Sequence, residues 1–219
     1  MKVAILSANL GGFDKAVDPV FQDVDDDIQV DFHRFTDENF PPITGLTPRF
    51  QYRIPKLFGW QMFPRYDIYI WFDASCSLRR SDCVRWYLKQ LGDADAAFFK
   101  HPWRKTIKAE TDFIELKLKE NQKYIVPRYK NGLHKEQYRE IMKDKKYVDD
   151  KLYTSTAFIY KNSAKTQEAM KLWWCHQSRY YTVDQLAQPY AFWKVGAKVN
   201  VINENQYKIG YLSLIYRHK

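Results

Sequence analysis

Tyr66-Asp67-Ile68-Tyr69-Ile70-Trp71-Phe72-Asp73-Ala74-Ser75 is the stretch on which the fold turns. Six of the seven residues 66–72 are aromatic or β-branched and read as a strand, and the strand runs straight into a carboxylate. Val3-Ala4-Ile5-Leu6-Ser7-Ala8 is a second continuous apolar run, as expected of a strand buried on both faces. It ends in the turn Asn9-Leu10-Gly11-Gly12-Phe13-Asp14. Further strands are read at Ile28 to Phe35, Ala96 to Phe99, Thr156 to Tyr160 and Lys198 to Ile202. Between them lie helical patterns. Pro48 to Trp60 is broken near Pro55, and Ser81 to Leu91 has Ser81 as its N-cap. Residues 109–146 are charged and interrupted, and 163–178 and 183–193 complete the helices. Strands alternating with helices predict an α/β sandwich with a mostly parallel sheet. No repeat or linker divides the chain, so 1–219 is read as one domain.

Composition narrows the function classes. The 219 residues are 45% hydrophobic and 17% aromatic, with 8 Gly and 9 Pro, which excludes a disordered or collagen-like chain. The net charge of +9 is uneven: residues 1–45 hold 9 acids and 3 bases, while bases dominate from residue 46 onward. In 100–151, 15 bases are interleaved with 9 acids, unlike the dense basic arm of many nucleic-acid binders. Three cysteines without metal spacing point to a reducing compartment. With no signal-like segment, membrane span or glycosylation sequon, the expectation is a soluble, cytoplasmic protein.

Ligands of open α/β sheets sit at the carboxyl ends of the strands. The literal triplets Asp25-Asp26-Asp27 and Asp93-Ala94-Asp95 precede their strands and fall at the wrong edge. Asp73-Ala74-Ser75 falls at the right one, where a carboxylate on a rigid strand end suits a divalent cation, or else caps a turn. Arg53 and Lys56, one helical turn apart, can face a phosphate together or form a solvated helix face. His101-Pro102-Trp103-Arg104 follows another strand, with Glu110 close behind. Thr182 reads as an N-cap before Asp184 and Gln185, so Asp184 is either a first-turn acid or a general base.

In order, Arg53-x-x-Lys56, Phe63-Pro64-x-Tyr66-Asp67-x-x-Ile70-Trp71-x-Asp73, His101-Pro102-x-Arg104, Trp173-Trp174 and Asp184-Gln185 form a set. It resembles the small GT-A glycosyltransferases, among them plant mucilage-related glycosyltransferase-like domains and the N-terminal glycosyltransferase domain of a large chlorella-virus protein. The likeness runs from the first strand to about Ile202. It implies a Rossmann-like GT-A fold and a hexosyltransferase-type activity. That activity moves a sugar from a UDP-sugar donor to a hydroxyl of a glycan acceptor, such as one on a glycoprotein, with inversion. It also implies Mn2+ or Mg2+ as cofactor, and a viral protein acting in the host cytoplasm. Ala8, Asn9, Leu10 and Gly11 would hold the nucleotide, with Thr36 and Asp37 near its base or ribose. Arg53, Lys56, Ala74, His101, Arg104 and Gln185 would complete the donor site. Asp73, Ser75 and the late His218 would hold the metal, Ser75 standing where the family has a second Asp. Asp184 would deprotonate the acceptor. Two other classes compete: a basic nucleic-acid-binding protein or metal-dependent nuclease using Asp73 and Glu110, and a catalytically inert carbohydrate-binding module. Trp103, Trp173 and Tyr180 are candidates for the acceptor side, with core packing the competing role for Trp173.

Overall fold

The computed structural model describes residues 1–41, 43 and 45–215. In chain order the elements are β1 (Lys2–Asn9), β2 (Gln29–Thr36), α1 (Pro48–Gln51), α2 (Arg53–Met62), β3 (Ile68–Phe72), β4 (Cys76–Ser77) and α3 (Cys83–Leu91). β5 (Ala96–Lys100), α4 (Ile107–Lys119), α5 (Val126–Tyr129), α6 (His134–Ile141), β6 (Tyr153–Lys161) and α7 (Ala164–Tyr180) follow. A short 3-10 turn (Asp184–Leu186), α8 (Gln188–Lys194), β7 (Val199–Ile202) and β8 (Ser213–Leu214) complete the described chain.

Six strands form one sheet in the order β2-β1-β3-β6-β5-β7. β1 pairs in parallel with β2 and β3, and β5 with β7, so the predicted α/β class with a mostly parallel sheet holds. β6 alone is reversed, antiparallel to both β3 and β5. That reversal positions the site. The entry of β6 lies at the same edge as the exits of β1, β3 and β5, because Phe72 faces Ala157 and Lys100 faces Tyr153. The backbone N–H of Asp73 donates to the Thr156 carbonyl at 2.8 Å, continuing the ladder past the end of β3.

β1 and β3 are buried on both faces, which is why they read as unbroken apolar runs. Ala4, Leu6, Tyr69 and Trp71 point into one core with Phe98, Phe158 and Trp173 of α7. Val3, Ile5, Ile70 and Phe72 point into the other, against Val84, Tyr87 and Leu91 of α3. Full burial of each such side chain stabilises by roughly 1.5–3 kcal/mol. A third cluster joins α4, α5 and α6 to Val183 and Leu186, so the charged, interrupted region carries an apolar inner face.

Several local expectations are corrected. Thr182 is not an N-cap: Val183 occupies that place, and the Thr182 hydroxyl donates to Gln137 instead. Ser81 yields to Asp82 at the start of α3, without a side-chain capping bond. Pro55 stands third in α2, in the first turn where its missing N–H is harmless, and the helix is interrupted at Phe58 instead. The strand pair β4–β8 went unread in the sequence, because two-residue strands carry no periodicity.

Candidate active site

The shared edge opens into a cleft of about 680 Å³, within the range of small-molecule sites. β1 supplies Ala8 and Asn9 and leads into Leu10, β3 leads into Asp73, Ala74 and Ser75, and β5 into His101 and Arg104. Asp184 and Gln185 enter from the 3-10 turn, and all ten of these predicted residues line the cleft. The edge rule thus selected the acidic motif that lines the cleft. Asp25 to Asp27 form the turn before β2, and Asp95 binds the Lys198 N–H at 2.7 Å, where β7 begins.

Arg53 and Lys56 do face the same way, but inward. They are 3% and 1% exposed, and both meet Asp184. Arg53 Nε lies 2.9 Å from Asp184 Oδ1, an ion pair without hydrogen-bond alignment. Lys56 Nζ donates to Asp184 Oδ2 at 2.8 Å and to Asp73 Oδ1 at 3.2 Å. Lys56 therefore bridges the two candidate carboxylates, in place of the direct approach to a diphosphate that the sequence suggested. α2 can deliver these cations because it lies close on β1: a Cβ built on Gly59 would stand 2.2 Å from Leu6 Cδ1.

Tyr52 and Ser155 also donate to Asp184 Oδ2, at 3.3 and 3.5 Å. From behind, the indole N–H of buried Trp173 donates to the Asp184 carbonyl at 2.9 Å. Burial alone would raise the Asp184 pKa, but Arg53 and Lys56 outweigh it and hold the carboxyl well below the usual range. Burial dominates at Asp73 and raises its pKa, although Lys56 and the Trp71 indole N–H at 2.8 Å pull the other way. The Asp73 side chain keeps 26% exposure toward the cleft.

At the β5 exit, Arg104 pairs with Glu110, and its guanidinium stacks 4.0 Å over Phe113. His101 accepts the Arg104 backbone N–H at Nδ1, 3.0 Å away, and its Nε2 lies 3.3 Å from Arg104 Nη2. Burial, then the Arg104 charge, lowers the His101 pKa to about 4, so it is neutral at pH 7. Gly11, Thr36 and Asp37 do not line the cleft. Asp37 accepts the Gly11 N–H at 2.9 Å, clasping a turn whose φ of +71° favours glycine. Trp173 and Tyr180 are core residues, whereas Trp103, 70% exposed, stacks on Tyr207 at the cleft with ring centroids 6.1 Å apart.

Sequence reading missed Tyr52, Arg49, Arg128 and the β6 residues Thr154, Ser155 and Thr156, all of which line the cleft. A 3.6-residue period from Arg53 back to Arg49 was the available signal for that residue. His218 lies outside the described residues. Ile215, near the described end, donates its N–H to the Ser75 carbonyl at 2.7 Å. Among the described residues no group of three His, Cys, Asp or Glu side chains could hold a metal ion. Lys56 and Trp71 already occupy Asp73 Oδ1, so the described residues do not by themselves fit a resident cation.

No protein-family model matches the chain, and neither does any curated protein. Among solved structures it is similar to the apo WbbM bifunctional glycosyltransferase, at 12% identity and a TM-score of 0.49, over 91% of this chain and 38% of that one. It is also similar to apo mouse xyloside xylosyltransferase 1, at 8% identity and a TM-score of 0.47, over 92% of this chain and 85% of that one. This chain thus spans well under half the length of WbbM, and both scores fall below 0.5.

Proposed function

We propose that this chain is a glycosyltransferase of GT-A type, one domain over 1–219, that transfers a sugar from a UDP-sugar to a glycan hydroxyl with inversion. The observation that carries the reading is the pair Asp73 and Asp184, bridged by Lys56 at the carboxyl edge of the sheet, inside a cleft of sugar-nucleotide size. The loop after β1 takes the nucleotide, and Trp103 with Tyr207 offers an aromatic face to the acceptor sugar.

The acceptor oxygen forms a bond to the anomeric carbon as the carbon–oxygen bond to the diphosphate breaks. The bonding pair leaves with the phosphate oxygen, and the acceptor proton passes to Asp184. Because Arg53 and Lys56 hold Asp184 ionised, it is a weak base toward a free hydroxyl. It acts late, once the forming bond has made that hydroxyl acidic, and its fixed negative charge faces the oxocarbenium-like carbon. No step is routed through a cation. If Mn2+ is used, Asp73 and donor phosphates hold it, and Ser75 and His218 are the further candidate ligands. Mn2+ alone then binds weakly to the protein, and tightly only with UDP present.

Glu110, the second carboxylate of a nuclease reading, is covered by Arg104, and several bases of 100–151 pair with acids close in sequence, as Lys108 with Asp112 and Lys143 with Glu140. No helix among the described residues is long and apolar enough to cross a membrane. Calorimetry with UDP, then with an oligonucleotide, tests the reading. UDP binding without oligonucleotide binding is expected, and the reverse result contradicts it.

A further inference from the structure

Arg53, Lys56 and Arg104 each have a carboxylate partner at the cleft. Arg49 and Arg128 have none among the ion pairs between described residues, although the Asp14 charge reaches Arg128. They belong to α1 and α5, far apart in sequence, yet they line the same cleft and share a small crevice with Phe50, Arg53 and Tyr181. A ring lies under each guanidinium, Tyr129 4.2 Å below Arg49 and Tyr124 3.5 Å below Arg128. Such stacking fixes the plane and leaves the N–H edge for a bidentate acceptor. Nη1 of Arg128 is buried without a hydrogen-bond partner.

Two guanidiniums brought together half-buried destabilise each other unless an anion joins them. Burial and then Arg49 lower the Arg128 pKa, against the weaker pulls of Tyr129, Tyr52 and Asp14. The charge of Arg49 in turn reaches Asp184, so the pair lies near the proposed reaction centre.

We propose that Arg49 and Arg128 form an oxyanion subsite that takes a phosphate or carboxylate group of a molecule bound in the cleft. Naming that molecule rests on the glycosyltransferase reading: the oxyanion is either the donor diphosphate or the acid group of an acidic acceptor sugar. The subsite itself rests only on the two arginines and their surroundings.

Calorimetry on the full chain with inorganic pyrophosphate, UDP and glucuronate tests it. The double variant Arg49→Gln/Arg128→Gln is expected to weaken pyrophosphate binding at least about tenfold, as loss of charge-assisted hydrogen bonds implies. Arg139→Gln/Lys143→Gln, the same charge change on an exposed face, is expected to leave it unchanged. If UDP weakens in parallel with pyrophosphate, the donor is the source. If UDP holds while glucuronate is lost, the acceptor is. Without ligand the double variant should melt no lower than wild type, since a like-charge contact is removed, whereas a marked drop would assign the arginines to the fold and overturn the subsite. Equal pyrophosphate binding by wild type and double variant, or none by wild type, also overturns it. Wild-type sugar transfer together with wild-type pyrophosphate binding by the double variant overturns the subsite and spares the transferase. Anion binding lost in the variant, with no sugar transfer by wild type, does the opposite.

Discussion

Lys56 joins the two carboxylates of this site. Its ammonium sits between Asp184 and Asp73, capped by the rings of Tyr52 and Trp71 at 5.5 and 5.7 Å. Lys56→Met would leave two carboxylates facing each other in a buried setting, and breaking a buried pair this way costs about 3–5 kcal/mol. Urea unfolding at pH 7 should show that loss, and the deficit should shrink as pH falls through the carboxylate range. An unchanged midpoint would mean the bridge contributes nothing. Asp73 was legible in the sequence because a strand end has a fixed place in an α/β sheet. The burial of Lys56 was not legible. Helical spacing shows that Arg53 and Lys56 share a face, but the face is turned inward by Asp184, a partner 128 residues away.

At the scale of elements, the contact of α2 with β1 sets how deep those cations reach. Gly59 makes the approach possible, since a Cβ there would collide with fully buried Leu6. Gly59→Ala should destabilise by about 1–3 kcal/mol through overpacking, and Leu6→Ala in the same chain should recover part of that loss. Strictly additive losses in thermal melts would place the strain elsewhere. Most strands were readable from their apolar runs, but direction was not, because a run buried on both faces looks alike in either sense. The reversed β6 therefore hid Thr154, Ser155 and Thr156 from the predicted site. The helices of 100–151 were misread in part for a related reason. Their ion pairs dominate the composition, while Ile107, Ile114, Ile125 and Ile141 quietly build the wall that carries Leu186 and the Asp184 turn.

For the whole molecule, the charge of +9 is spread over surface bases, some of them paired with acids, and a small number of cations at the cleft. Acid sensitivity follows from His101. Its folded pKa of about 4 lies below its ordinary value, so the unfolded chain binds the proton more readily between the two. Stability is complete above about pH 6.5 and declines as pH falls toward 4. Burial lowers His33, His134 and His176 as well, so His101→Gln should lessen, not abolish, the slope of chemical-denaturation stability across that window, and an unaltered slope would remove His101 as a cause. Asp184, held ionised by two cations, adds its own loss only at lower pH. The most direct test of the cleft as a glycosyl-transfer site is release of UDP from a panel of UDP-sugars by wild type and Asp184→Asn. The account predicts turnover of at least one donor by wild type. The variant should bind UDP within a few-fold of wild type, with turnover slower by about 10²-fold or more. No release from any donor, or a variant as fast as wild type, would contradict it.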